Sequence, residues 1–581
     1  MQYQVYTVVP ALSNQFILQE GPLPATCKPG HVLAMTACRG EYESASFLID
    51  TPVPLAQVKV EVRPLRGPVT LPVDCLDLRL VDRLALSISL GTAAAPYALV
   101  HNPDMLEIIE GYPPGVAAVT TPQPFAAYNP DWYGPLFTAL EYKQAYTEWC
   151  VLRKPLIDAP EMLPVDVAKR EQFWVTVRVP DDAPAGDYSA NLVVRPENAA
   201  ATRLQLMLRV PNFDLLPAKY EYSLYHPTDD LNPPITDAQM QADYDCMMAH
   251  GMTNPNFYAG PQGGATGPIS FARLDRLLDM REKAGMPKGD LYVVDGAGLY
   301  IGYDPMTPER VARTTEVAAA TVAWAKARGY GDVYFMGADE AAGANLTAQR
   351  PSWEAVHEGG AKIYAAGGIG FEPLVGDLLD VAVVADPDAF VCDHHQWTGW
   401  STKQRMRGEG PGLIRDAIGG FWGSGALLGE PYQTVVRKQH SLGKRVFTYF
   451  DPWGQAPYPD AHRRCRGLGL YKANLDGTMT WAWTHYREGT KTKVGETVGG
   501  GGFIWRGPEG PIPTLGIVGY REGHDDARYL ATLQARIVQG GPEARAAQEW
   551  LDGIGLRADL DAWRAGMVRW IERIGVRVRV P

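Results

Sequence analysis

From Tyr220 onward the sequence repeats one pattern: a short apolar run, a stretch with helical spacing, then another short run. That alternation restricts the fold more than any other feature. Strand followed by helix, repeated, calls for parallel strands joined by crossover helices. The strand-like runs are Tyr220–Tyr225, Thr253–Tyr258, Leu291–Asp295, Asp332–Gly337, Lys362–Ala366, Val381–Ala385, Arg445–Phe450 and Thr478–Thr484. Helical stretches between them include Asp237–His250, Phe271–Ala284, Pro308–Arg328 and Tyr432–Leu442. Gly329 sits where a C-cap glycine would close the third of these. The pattern predicts a (β/α)8 TIM-type barrel over residues 218–520, with a long insertion from Asp388 to Glu430 before the seventh strand.

The flanks read differently. Residues 1–217 carry short β-rich runs punctuated by Pro and Gly, such as Phe173–Val179, Tyr188–Val194 and Leu204–Val210. They predict an N-terminal β-sandwich, with residues 91–164 as a long excursion from it. Residues 521–581 predict a C-terminal helical segment with helices at Asp525–Gln539, Pro542–Gly553 and Asp559–Ile574. At 581 residues the chain is too long for one core, which agrees with several domains.

Composition narrows the partners. Net charge is −12, which argues against nucleic acid or an anionic membrane surface. No apolar run is long enough to insert in a membrane. The opening Met1-Gln2-Tyr3-Gln4 lacks a charged-then-apolar signal pattern, so a soluble chain is expected: cytoplasmic, or secreted or periplasmic if a precursor was trimmed. The seven cysteines have no CxxC spacing, so neither a disulfide framework nor a zinc site is expected. Oligomeric state is not legible.

Barrel chemistry gathers at the C-terminal ends of the strands. Those ends offer His226, Asn256, Tyr258, Asp295, the pair Asp339-Glu340, Asp386, Tyr449, Asp451, Trp453, Trp481, Trp483 and His485. Asp393, His394, His395 and Trp397 lie in the insertion. A mouth rich in carboxylates and aromatics and poor in cations suits a neutral polyhydroxyl ligand better than a phosphate. The pair stands out because it ends a strand buried on both faces. Neighbouring side chains on a strand diverge, so both enter one mouth only where the strand bends. Two close carboxylates resist joint ionisation, which raises one pKa and lets one donate a proton while the other stays charged. As a plain turn, Asp339 would cap backbone amides and Glu340 would face water. Trp481 or Trp483 can form a wall for a sugar ring or simply pack against a helix. Adjacent His394 and His395 chelate poorly and no HExxH element is present, so no metal is expected. Gly499 to Gly502 lacks the lysine of a phosphate loop, and no cofactor is expected.

Several segments, taken in order, resemble the family 123 glycoside hydrolases and their relatives, which are β-N-acetylgalactosaminidases. Ala37-Cys38-Arg39-Gly40-Glu41 is similar to an early Arg-x-Glu strand, and Ala183-Pro184-Ala185-Gly186-Asp187-Tyr188 to a Pro-Gly-x-Tyr turn. Val210-Pro211 to Leu216-Pro217 resembles the crossing into the barrel. Val446 to Tyr449, Asp476 to Trp481 and Tyr520 to Asp526 resemble its closing strands and first C-terminal helix, although His524 departs from the usual Glu-Asp pair. The resemblance implies that Asp339 and Glu340 are catalytic, in a retaining mechanism assisted by the substrate's own acetamide. Asp339 would stabilise that acetamide and Glu340 would be the acid/base. The implied substrate is a glycan with a terminal β-linked N-acetylgalactosamine. Tyr449 is the candidate donor to the acetamide oxygen and Trp481 the candidate wall; Trp483, His226, His395 and Trp397 are further substrate-binding candidates. The insertion has no counterpart in the resemblance. Two alternatives stay open: a retaining glycosidase with Glu340 as acid/base and Asp451 as covalent nucleophile, and a carbohydrate-binding protein on an inactive barrel.

Overall fold

The structure is a computed structural model. It describes residues 3–13, 17, 22–85, 98–100, 148–153, 164–227, 235–264, 266–294, 306–384, 430–449, 459–484, 503–507, 510–556 and 558–575.

The N-terminal part forms two sheets around one apolar core. The first runs Cys27–Pro29, Gln4–Val8, Tyr42–Asp50, Arg170–Arg178, Leu76–Ala85, Glu148–Arg153, Ala98–Val100. The second runs Val165–Val167, Leu55–Val62, Gly186–Arg195, Thr202–Val210, Val32–Thr36. Strict alternation explains the second sheet. In Thr202–Val210 the buried residues are Leu204, Leu206, Leu208 and Val210, with exposed or half-exposed partners between them. They meet Phe47 and Phe173 of the first sheet, whose rings stack at 4.7 Å. Two short strands within the excursion at 91–164 extend the first sheet; the rest of the excursion is outside the described residues.

The middle of the chain builds a parallel sheet of seven strands in the order Glu221–Leu224, Gly477–Thr480, Arg445–Thr448, Val381–Val384, Lys362–Gly367, Val333–Met336, Leu291–Val293. Seven of the eight expected strands are therefore present. The second, Thr253–Tyr258, is a correction: it forms no strand, because Pro255 at its centre has no N–H to give to a ladder. It nevertheless touches both edges of the sheet. Asn254 and Asn256 donate backbone N–H groups to Tyr222 and Leu224, and Phe257 exchanges two backbone bonds with Tyr292 and Val294.

Period-two alternation divides each strand between two cores. Val333 and Phe335 face the layer shared with the outer helices, whereas Tyr334 and Met336 face the inside of the curled sheet. Ile363 and Ala365 likewise face out, Tyr364 and Ala366 in. The helices behave as their spacing predicts: Pro308–Ala327 starts with a Thr307 cap on the Arg310 N–H and ends at Gly329, where φ is +82°. At the N-terminal end of the sheet Arg445 sits 2.9 Å from Asp290 and 3.7 Å from Glu221, with its guanidinium over Tyr334 and Phe447. Cation and rings fill that end of the interior.

One helix starts earlier than its sequence suggests. The first C-terminal helix spans Leu515–Val538, capped by Thr514, so both the expected helix start at Asp525 and the segment boundary at Arg521 fall inside it. Gly516, Gly519 and Gly523 disguise its first turns, since glycine disfavours helix. Packing explains them: a Cβ on Gly519 would lie 2.1 Å from the Pro459 carbonyl oxygen, and one on Gly523 2.6 Å from that of Arg463. Helix Pro459–Arg464 crosses there, and only glycine admits it.

The early Arg-Gly-Glu segment and the Tyr520–Asp526 segment meet each other. Glu41, fully buried, accepts the Cys38 N–H and the Tyr529 hydroxyl, both at 2.7 Å. Arg564 joins Glu43 at 2.8 Å, Glu522 at 2.5 Å and Asp526 at 2.6 Å, and Arg463 takes the other side of Asp526 at 2.8 Å. These segments hold the N-terminal sheets to the C-terminal helices. The Pro-Gly-x-Tyr turn is likewise structural: Tyr188 is buried and donates to the Pro184 carbonyl at 2.7 Å.

Candidate active site

The acid pair follows strand Val333–Met336 at its C-terminal end, where the ladder changes step. Gly337 donates to the Tyr364 carbonyl at 2.7 Å and Glu340 to that of Ala366 at 3.1 Å. The partner strand advances by two residues while this one advances by three, which is a bulge. Glu340 takes φ +51°, a left-handed conformation that costs a non-glycine residue on the order of 1 kcal/mol. The extra residue interrupts the strict alternation of the strand, and the Asp339 charge acts on both Glu340 and Tyr449. Gly337 permits the tight approach beneath: a Cβ there would meet Trp353 Cζ2 at 2.6 Å.

Both carboxyls titrate far from their ordinary ranges. Burial in the concave end of the sheet pushes Asp339 up to about 6, partly offset by the Glu340 backbone N–H. Its surface is open to solvent, yet protein surrounds it closely enough to strip hydration. Burial and then the Asp339 charge push half-buried Glu340 up to about 7. Both charges reach Tyr449, whose phenol is raised first by burial and then by Asp339 and Glu340. Tyr449 follows strand Arg445–Thr448 and is 4% exposed.

An aromatic cluster surrounds the pair. Tyr225 lies at ring-centroid distances of 5.4 Å from Tyr449, 5.5 Å from Trp481 and 6.3 Å from Tyr258, and Tyr258 lies 6.1 Å from Trp481. Burial raises the phenols of Tyr225 and Tyr364, and Asp339 adds to both shifts. The Tyr225 hydroxyl is buried without a hydrogen-bond partner among the described residues. Tyr225 and Tyr364 were not singled out from sequence. The signal was present, since Tyr364 is an inward position on its strand and Tyr225 directly follows strand Glu221–Leu224, but period alone cannot say which inward residues reach the mouth.

Among the substrate-binding candidates, Tyr449 therefore lies beside the pair, and Trp481 packs with it on Tyr225. His226 and Trp483 are corrections of position: both are fully buried on the outer side of the sheet. The His226 ring packs on Tyr244 at 5.3 Å and Trp483 at 6.3 Å, with Nε2 3.6 Å from the Asp243 carboxylate. Tyr222 and Leu224 face the outer layer, so period-two alternation carries His226 there too; Trp483 instead breaks step with inward Met479 and Trp481, past the end of strand Gly477–Thr480. Asn256 is buried and accepts the His226 backbone N–H at 3.0 Å. His395, Trp397, Asp295, Asp386, Asp393, His394, Asp451, Trp453 and His485 lie outside the described residues. Among the described residues, no group of three His, Cys, Asp or Glu side chains could hold a metal ion, and no helix is long and apolar enough to cross a membrane.

No protein-family model and no curated sequence matches the chain. Among solved structures, it is similar to a family 123 glycoside hydrolase from Clostridium perfringens, described in a study of glycolipid glycan hydrolysis: TM-score 0.60, 9% identity, 99% of this chain and 97% of that one. A Bacteroides ovatus xyloglucanase (TM-score 0.33, 9% identity, 85% and 98%) and a family 39 glycoside hydrolase from Bacteroides cellulosilyticus (0.34, 10%, 85% and 82%) also match. Over nearly its whole length, the chain shares the fold of a glycoside hydrolase of family 123.

Proposed function

We propose that the protein is a glycoside hydrolase that removes terminal β-linked N-acetylgalactosamine from glycans, with retention and with the substrate's acetamide as nucleophile. The reading takes residues 1–217 as a β-sandwich, 218–520 as a (β/α)8 barrel closed by the Thr253–Tyr258 segment, and the remainder as a helical segment. The observation that carries the function is the bulged acid pair: two adjacent carboxyls at the C-terminal end of strand Val333–Met336, Asp339 at about 6 and Glu340 at about 7. The group with the higher value keeps its proton while the other is already an anion.

In the first step the acetamide oxygen attacks the anomeric carbon, and the bond from that carbon to the leaving oxygen breaks. Glu340 gives its proton to the leaving oxygen. Asp339 accepts the acetamide N–H and stabilises the positive charge growing on the oxazolinium ring. In the second step Glu340 takes a proton from water, the water oxygen bonds to the anomeric carbon, and the ring reopens. Tyr449 donates to the acetamide oxygen and Trp481 forms the wall behind the sugar.

The test is hydrolysis of a nitrophenyl N-acetyl-β-galactosaminide beside its gluco epimer and the non-acetylated galactoside. Only acetylated substrates should turn over, the galacto epimer faster. Asp339→Asn should lower kcat by roughly 10²–10³, the scale of losing one preorganised electrostatic partner. Glu340→Gln should lose most activity with a poor leaving group and less with nitrophenolate. Tight inhibition by a thiazoline is expected, since it mimics the bicyclic intermediate. Turnover of the non-acetylated galactoside, with Asp339→Asn mild and Asp451→Asn inactive, would overturn acetamide participation.

A further inference from the structure

We infer that Gln349 is the positioning residue for the acid pair, holding open the bulge that sends Asp339 and Glu340 to the same mouth. The inference rests on the reading of the pair given above. A bulge leaves one backbone N–H of the longer strand without a ladder partner. Here two residues, Ala338 and Asp339, stand between the Gly337 and Glu340 bonds to the neighbouring strand where a regular ladder has one, and the Ala338 N–H turns to a side chain instead. The Gln349 side-chain oxygen accepts it at 2.7 Å.

Gln349 is itself held rigidly. It is fully buried, immediately before helix Arg350–Glu358, and its Nε2 donates to the Asn345 carbonyl at 3.1 Å. Its backbone N–H donates to Leu346 at 3.1 Å, and its carbonyl accepts from Ser352 at 3.0 Å and Trp353 at 3.1 Å. Trp353 is the ring that packs on Gly337. One side chain thus ties the strand end to the following helix, and the Glu340 backbone, at φ +51°, has a fixed support on its N-terminal side. Without that bond the Ala338 N–H would seek another acceptor and the strand end could relax toward regular pairing. Regular alternation would then turn one carboxyl out of the mouth.

The experiment compares Gln349→Met, which keeps length and removes both hydrogen bonds, with Gln349→Glu, which keeps an oxygen for Ala338 and, protonated in this buried place, a hydrogen for Asn345. Amide hydrogen exchange in the full-length protein is expected to speed up at least about tenfold over 337–340 in Gln349→Met, with strand Val381–Val384 unchanged. On the nitrophenyl N-acetyl-β-galactosaminide, kcat should fall about 10- to 100-fold with KM within about threefold, the size of effect that a misplacement near 1 Å produces. Gln349→Glu should recover most of both. If Gln349→Met does not yield folded protein, Gln349→Asn, which withdraws the amide by one methylene, carries the same expectation. Unchanged exchange at 337–340, or a kcat loss that only follows the folded fraction, would overturn the inference. Glu340→Gln run alongside separates the two readings. If it is inactive while Gln349→Met matches the parent, the inference alone fails. If it is fully active while Gln349→Met loosens 337–340, the hold by Gln349 stands and the catalytic reading of the pair fails.

Discussion

Glu340 should make the fold less stable as pH rises, and Glu340→Gln should remove that dependence. An unfolded chain releases the Glu340 proton near its ordinary 4.5, whereas the folded chain keeps it to about 7. A group whose folded value is raised contributes stability that is fully present below 4.5 and lost as pH rises through 7. At 1.36 kcal/mol per pH unit, that difference sets an upper bound of about 3 kcal/mol. Glu340 is only half-buried, so solvent screening brings the expected cost to about 1–2 kcal/mol. Glutamine has the shape without the charge. Urea unfolding followed by tryptophan fluorescence should show Glu340→Gln gaining about 1–2 kcal/mol on the parent between pH 4 and pH 8, with most of the gain appearing between pH 5 and 7. A difference that does not change with pH, or that grows toward acid, would refute the reasoning. The gain would come with lost turnover, the usual trade at a strained polar site.

The same two carboxyls should shape the rate: kcat/KM for the N-acetylgalactosaminide should rise as Asp339 ionises near pH 6 and fall as Glu340 ionises near pH 7, and a profile flat from pH 5 to 8 would count against these roles. Gly337→Ala should cost roughly 1–3 kcal/mol by forcing a methyl into the buried Trp353 ring, measured by the same urea titration. Arg564→Met should cost roughly 3–5 kcal/mol, since Glu43, Glu522 and Asp526 lose a shared cation; limited proteolysis should release the C-terminal helices first. Exhaustive chelation should leave turnover undiminished; loss restored by zinc would show a metal role.

Much of this protein was legible in its sequence, because local physics decides local structure. Short apolar and β-rich runs identified most of the strands, Thr307 and Gly329 bracketed their helix, and the switch near Pro217 separated sheets from strand–helix alternation. Asp339 and Glu340 could be found because a doubly buried strand leads straight into them. What failed depended on residues distant in sequence. The exception is local: Pro255, inside its own run, removed a strand whose two neighbours still hydrogen-bond to the segment. Three glycines hide the first turns of a helix, and only the helix that crosses there explains them. His226 continues the outward period of Tyr222 and Leu224, but which face is outward is settled only by the helices packed there; Trp483 leaves the inward period of Met479 and Trp481 and packs in the outer layer. The bulge that brings two neighbouring carboxylates together belongs to the same class. Its extra residue is defined only against the Tyr364 and Ala366 carbonyls of another strand, and its spare N–H is answered by a glutamine eleven positions on. Propensity and period act through neighbours in the chain; hydration, ladder register and close approach act through neighbours in space, which only the folded chain supplies.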